Sequence, residues 1–303
     1  MPVMRSLDLR TSSSASRRPQ RTKASLRISC WLFSLMIIFT VAASANAQDF
    51  RVVTNVSYHD QQTDRWDSLA RSLTLFHAGK VYDFVEAVGE VVVFDPMQDR
   101  FVILSLNGNA LATEVPFEEL HQFLKVGRAE TFKYISELQL RRNDAADRAM
   151  QSLTFQLKPQ FNEGFDPANG KLRLSSEFIT YEVETDIVDR PMIVQQYLQW
   201  ADWTARLNSI IHPQAVAPEV RLAVNEALRT RDRVPTQVDL KLSLDGDMHL
   251  RAEHTFKMQL TRLDRDAITK WEGLRTADNV RWVDFREYQR VLVTSAARST
   301  ASR

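Results

Sequence analysis

The sequence predicts an α+β fold built on a mostly antiparallel sheet. Three features carry this reading. β-rich runs crowd the chain from residue 52 to 115, only turn residues separate them, and apolar residues at helical spacing begin only at Pro116. The runs cover residues 52–58, 69–76, 81–85, 90–95, 101–106 and 111–115, separated by Ala78-Gly79, Asp95-Pro96 and Asn107-Gly108-Asn109. Such spacing leaves no room for crossover helices, so neighbouring strands should pair as an antiparallel meander.

The turn at Ala78-Gly79 allows two registers. A three-residue loop with Gly79 left-handed sets Thr74 against Tyr82, whereas a two-residue loop sets Leu75 against Tyr82. The first is favoured because alanine tolerates positive φ poorly. His77 falls at the tip in both, where solvation is the expected state, beside Lys80 and Asp83.

Pro116 opens a helix carrying Phe117, Leu120 and Leu124, which should resume beyond Gly127 through Phe132, Ile135 and Leu138 and fade near Asp147. A second strand group follows at 152–158, 171–175 and 178–184. The clearest helix spans 192–210. Gln195, Gln199, Asp202 and Arg206 recur on one face, expected to point to water, while Ile193, Tyr197 and Trp200 share a face that should be buried. Asp202→Ala is therefore expected to be near neutral. A further helix at 220–228 follows Pro218, and Asp264 should cap a short one bearing Ile268, Trp271 and Leu274. Between these lies a hairpin over 236–260 in which Val238, Leu240, Leu242 and Leu244 alternate with polar residues, as do Met248, Leu250, Ala252, His254 and Phe256. A three-residue loop would place Leu244 opposite Met248 and Leu240 near Ala252, with one apolar face across both strands.

The first residues read as targeting sequence. Residues 1–25 form a basic, disordered region and 26–47 a signal peptide: an apolar run at 31–43 ends in Ala45-Asn46-Ala47, with cleavage after Ala47. One domain, 48–303, would then reside in the periplasm or be secreted, an uncleaved N-terminal membrane anchor being the alternative. Cys30, the one cysteine, precedes the expected cleavage point, so the mature domain is cysteine-free and must be held by its core. Without the seven Lys/Arg and one Asp of residues 1–47, 32 basic residues face 37 acidic ones, a net of −5. That balance argues against nucleic acid as a partner.

No nucleotide, zincin or nucleophile-elbow signature is present, and neither a cofactor nor a metal is expected. Glu118 and His121 form a single E-x-x-H pair where di-iron bundles need two. Asp245, Asp247 and His249 fit an ordinary hairpin loop, and Asn55-Val56-Ser57 is a glycosylation acceptor without meaning in a bacterial-looking export product. His254 stands out on the apolar face of its strand, as a cavity-facing group or a core histidine.

The segment LTLFHAGKVYDFVEAVGEVVVFDPMQDRFVILSLNGNALATEV, residues 73–115, resembles the outer-membrane lipoprotein-sorting (LolA/LppX-like) superfamily in its long strands, its G-K-V-Y-D turn and its V-V-F-D-P and R-F-V-I-L strand pair. The resemblance implies a curved sheet forming an incompletely closed barrel, helices on its concave face, and an apolar interior that receives acyl chains. FITYEVET and QYLQWADWTARLN are similar to segments of exported proteins of bacteria with unusual envelopes. The resulting expectation is a non-enzymatic envelope protein that binds an apolar or lipid-like ligand through Tyr82, Phe84, Trp200, Trp203 and His254, with lipid or lipoprotein as partner and contact with a membrane surface left open. The alternatives are an envelope scaffold with a fully packed core and, third, a hydrolase drawing on Asp83, Glu118, His121 or His254.

Overall fold

Six strands follow one another from Phe50 to Pro116 in the computed structural model, which describes residues 48–106, 110–141, 143–212, 215–244 and 247–291. The expected export segment with Cys30, the 107–109 turn and Asp245 lie outside the described residues. The strands are β1 (Phe50–Asp60), β2 (Arg65–His77), β3 (Lys80–Val85), β4 (Glu90–Asp95), β5 (Arg100–Ser105) and β6 (Leu111–Pro116), each antiparallel to the next.

After α1 (Phe117–Gln139) and α2 (Asp144–Leu157) a second meander begins with β7 (Asn162–Asp166), β8 (Lys171–Ser175) and β9 (Ile179–Ile187). It continues beyond α3 (Pro191–Ile211) and α4 (Pro218–Arg229) with β10 (Arg233–Ser243) and β11 (Asp247–Lys257). α5 (Arg262–Arg275), β12 (Arg281–Val283) and a helical stretch at 285–291 complete the described chain. β11 pairs antiparallel with β1 and thereby joins the two meanders into one twelve-stranded sheet, ordered β12-β6-β5-β4-β3-β2-β1-β11-β10-β9-β8-β7. Only β12 on β6 is parallel, and hydrogen bonds do not close the sheet among the described residues. The fold is thus α+β on a mostly antiparallel sheet, as the sequence predicts.

α1, α3 and α4 cover one face, burying Phe50, Val52, Phe76, Phe101, Tyr197 and Val224 in the larger core. α5 covers the other face of the first meander, setting Ile268 and Trp271 over Leu75, Tyr82, Val91, Val93, Val102 and Leu104. This double cover explains Phe101-Val102-Ile103-Leu104, a run without alternation in which every residue is buried: a strand packed on both sides needs apolar residues on both. The second meander alternates instead, and its outer face carries ion pairs such as Lys171–Glu184 at 3.1 Å. No helix among the described residues is long and apolar enough to cross a membrane.

Several local expectations are corrected. Of the strand expected at 152–158, residues 152–157 belong to α2 and Lys158 is its C-cap. Asn143 caps that helix by accepting the Ala146 amide at 2.8 Å, and the cap starts a helix whose apolar residues then run on through 157. α1 passes through Gly127 without interruption. In α5 the N-cap is Thr261, with Asp264 at the third position completing a capping box.

The β2–β3 turn is the two-residue form, Leu75 opposite Tyr82 and His77 opposite Lys80, with Ala78 at φ 50 and Gly79 at φ 79. The twist match of a turn with two positive φ angles outweighs the steric cost at alanine. His77 is not at a free tip, since its Nδ1 lies 3.0 Å from Asp49 Oδ1. In the β10–β11 hairpin Leu240 pairs with Leu250 and Leu242 with Met248, two residues away from the expected register. Parity fixes only the face, which a two-residue slide preserves. The Ser243 hydroxyl, 2.9 Å from Asp247 Oδ1, ties the observed register at the turn.

Candidate ligand-binding cleft

The strands that join the two meanders also line a cavity. Thr54 and Val56 on β1, Leu250, Ala252 and His254 on β11, and Val238 and Leu240 on β10 point to the same face, by the alternation visible in sequence. α3 adds Ala205 and Asn208 above them, and α4 adds Pro218 and Arg221. Together they line an open cleft of about 350 Å³ with mostly aliphatic walls.

At one end of this cleft the sheet forks. β10 and β11 pair only from Ser243–Asp247 to Gln237–Glu253. Beyond that point β10 remains on β9 back to Arg233–Ile187, while β11 remains on β1 out to Lys257–Arg51. Pro235, which has no amide to donate, lies just past the last β10–β11 pair and beside a bulge in the retained β9–β10 ladder. The opening is a second cavity of about 490 Å³, lined by Val234, Thr236, Phe256, Met258 and the 186–190 connection. His254 is the first residue past the fork and borders both spaces.

The His254 ring nitrogens are unequal. Nδ1 lies 2.9 Å from Thr54 Oγ1 directly across the β1–β11 pair, whereas Nε2, shielded from bulk water, has no hydrogen-bond partner among the described residues. Loss of water around the ring, and then the nearby Arg221 guanidinium, pull its pKa down from 6.5 to about 3, so the imidazole is neutral. The Arg221 guanidinium lies near Tyr197, whose hydroxyl is pushed above its ordinary range first by burial. It meets no carboxylate at ion-pair distance among the described residues. Arg251, between the cleft-facing Leu250 and Ala252, points to the opposite face of the sheet: Nε lies 2.9 Å from Asp239 Oδ1 and the guanidinium sits 4.3 Å over Trp66.

Of the five residues singled out from sequence, His254 borders the cleft. Tyr82 and Phe84 lie on the opposite face against Trp271, with Tyr82 Oη donating to Glu272 at 2.7 Å. Trp200 packs edge-on to Phe76 at 5.8 Å, and Trp203 stacks on Phe117 at 3.7 Å. Sequence reasoning passed over Thr54, Arg221 and Pro235. A proline inside an otherwise alternating strand is a signal that was there to be used, because it marks a place where a ladder must break.

The other chemistry-bearing residues do not converge. Glu118 and His121 occupy an exposed part of α1, where Gln122 donates to Glu118 at 2.7 Å and His121 lies 5.2 Å from Trp203. No cluster of three or more metal-ligating side chains occurs among the described residues. Lys80 reaches Asp95 and Glu272, both at 3.4 Å. Asp83 takes the Thr74 hydroxyl at 2.8 Å, and loss of water around its carboxyl pushes it up from 3.8 to about 6.

No family model matches the chain, and no curated protein does. Among solved structures, two crystal forms of PNGF-II align with a TM-score of 0.33, at 10% and 12% identity, covering 81% and 80% of this chain but 33% and 32% of theirs. The chain spans about a third of the length of those structures, and a likeness of that size carries no functional argument.

Proposed function

We propose that this chain is an exported, non-enzymatic envelope protein that holds an apolar or lipid-like ligand between its sheet and the α3–α4 pair. The observation that carries the reading is the aliphatic cleft of about 350 Å³ bounded by β1, β10, β11, α3 and α4. Small-molecule sites typically enclose roughly 300–1,000 Å³ with mostly apolar walls and a few placed polar groups. His254, Thr54 and Arg221 fit the second part of that description. Residence in the periplasm or secretion, after removal of residues 1–47, and lipid or lipoprotein as partner belong to the same proposal.

The envelope scaffold with a packed core keeps one observation in its favour: Trp200 and Trp203, the aromatic stripe of α3, are engaged with Phe76 and Phe117. Native mass spectrometry of protein purified without detergent separates the two. A carrier arrives with a lipid-sized adduct that organic extraction removes, whereas a scaffold shows the bare chain mass.

A further inference from the structure

We propose that the ligand is a single-chain amphiphile with a carboxylate head, a fatty-acid-type molecule, its head held by Arg221 and the free Nε2 of His254 and its tail lying along Val56, Val238, Leu240 and Ala252. The inference rests on the ligand-binding reading above and adds the head group to it.

Arg221 is a guanidinium beside an aliphatic cleft, near the Tyr197 hydroxyl and with no carboxylate at ion-pair distance among the described residues. A cation set in such surroundings calls for an anion, and guanidinium meets carboxylate with matched geometry. Next to it, Nε2 of His254 is cut off from water and unpartnered, while buried polar atoms are paired as a rule. We take the Thr54 hydroxyl as the donor to Nδ1, which leaves the proton of the neutral ring on Nε2 and makes this ring, in the cleft wall, a second donor beside Arg221. One cation and one neutral donor suit the two oxygens and single charge of a carboxylate. A phosphate dianion would leave charge uncompensated in apolar surroundings. Arg251 points to the opposite face of the sheet, where it pairs with Asp239, so the guanidinium available to a head group at the cleft is that of Arg221. About 350 Å³ lies near the lower bound of small-molecule sites, enough for one medium-length chain and too little for a diacyl lipid.

The test is calorimetric titration of delipidated protein with dodecanoate, dodecanol and dodecyl phosphate at neutral pH. The expected result is dodecanoate binding at least about ten-fold tighter than dodecanol, the worth of one charge-assisted contact, and tighter than dodecyl phosphate. In Arg221→Met the acid-to-alcohol ratio falls towards one, and in Arg221→Lys, which keeps the charge, much of it returns. Nε2 of His254 shifts in nitrogen NMR on adding dodecanoate and stays in place on adding dodecanol, a readout that needs no substitution. Equal binding of acid and alcohol, tighter binding of the phosphate, or an unchanged ratio in Arg221→Met overturns the head-group assignment and leaves the lipid reading standing. Binding of none of the three overturns both.

Discussion

Asp83 and His254 both depart clearly from their ordinary ionisation, and they do so with opposite consequences. Asp83 ionises near 6 in the folded chain against 3.8 otherwise, so its contribution to stability is present below 3.8 and lost as pH rises through about 6. His254 stays neutral down to about 3 against 6.5 otherwise, so its contribution is present above 6.5 and lost as pH falls towards 3. Asp83→Asn keeps the acceptor for Thr74 without the charge. It is expected to unfold in urea with about 1 to 3 kcal/mol more stability than the parent at pH 8, and with no difference near pH 4. Equal stability of the two at pH 8 would place the Asp83 carboxylate in water. Gly170 is a third position where one residue decides. At φ 63, an added Cβ would stand 2.7 Å from the Thr185 carbonyl, so Gly170→Ala should cost about 1 to 3 kcal/mol by thermal melting. The sequence marked Asp83 as polar among apolar neighbours but could not say how little water surrounds it, because that depends on helices more than a hundred residues away.

At the scale of elements, α3 and α4 are fastened by a polar contact that the sequence pattern read as a solvated stripe. Asp202 accepts Asn225 Nδ2 at 2.7 Å and Arg229 Nη2 at 2.6 Å, and Asn225 is fully buried. The expectation that Asp202→Ala is near neutral is therefore corrected. Removing the carboxylate strands a buried amide and should cost about 1 to 3 kcal/mol. Periodicity showed that Asp202 lies on a polar face of α3 and nothing about what that face meets. The apolar face was legible, with Ile193 and Tyr197 buried and Trp200 packed on Phe76. Trp200→Ala should cost about 3 kcal/mol whether or not ligand is bound, read as the loss in urea midpoint. The strands of the first meander could be read because turn residues punctuate them. α2 was missed because Leu153, Phe155 and Leu157 alternate as a strand would over so short a window, and only the Asn143 cap upstream distinguishes the two.

For the molecule as a whole, the feature that matters is where the two meanders meet. A continuous sheet with helices on one face could pack solid. This one instead opens between β10 and β11 next to Pro235, and each strand keeps its other neighbour. Strand order within each meander follows from short connections, but the β1–β11 pairing joins segments about two hundred residues apart, and no local pattern encodes it. Of the cleft's polar residues His254 alone stood out in sequence, and its grouping with Thr54 and Arg221 was invisible for the same reason: the three come from β11, β1 and α4. The central claim, that this cleft holds a lipid-like ligand, is tested most directly by filling it. Ala252 lies on its floor between Val56 and Val238, so Ala252→Phe should occupy the space that a ligand chain would take. Native mass spectrometry of parent and variant purified side by side is predicted to find a lipid-sized adduct on the parent and bare mass on a variant that still melts cooperatively; the same adduct in the same amount on both would contradict it.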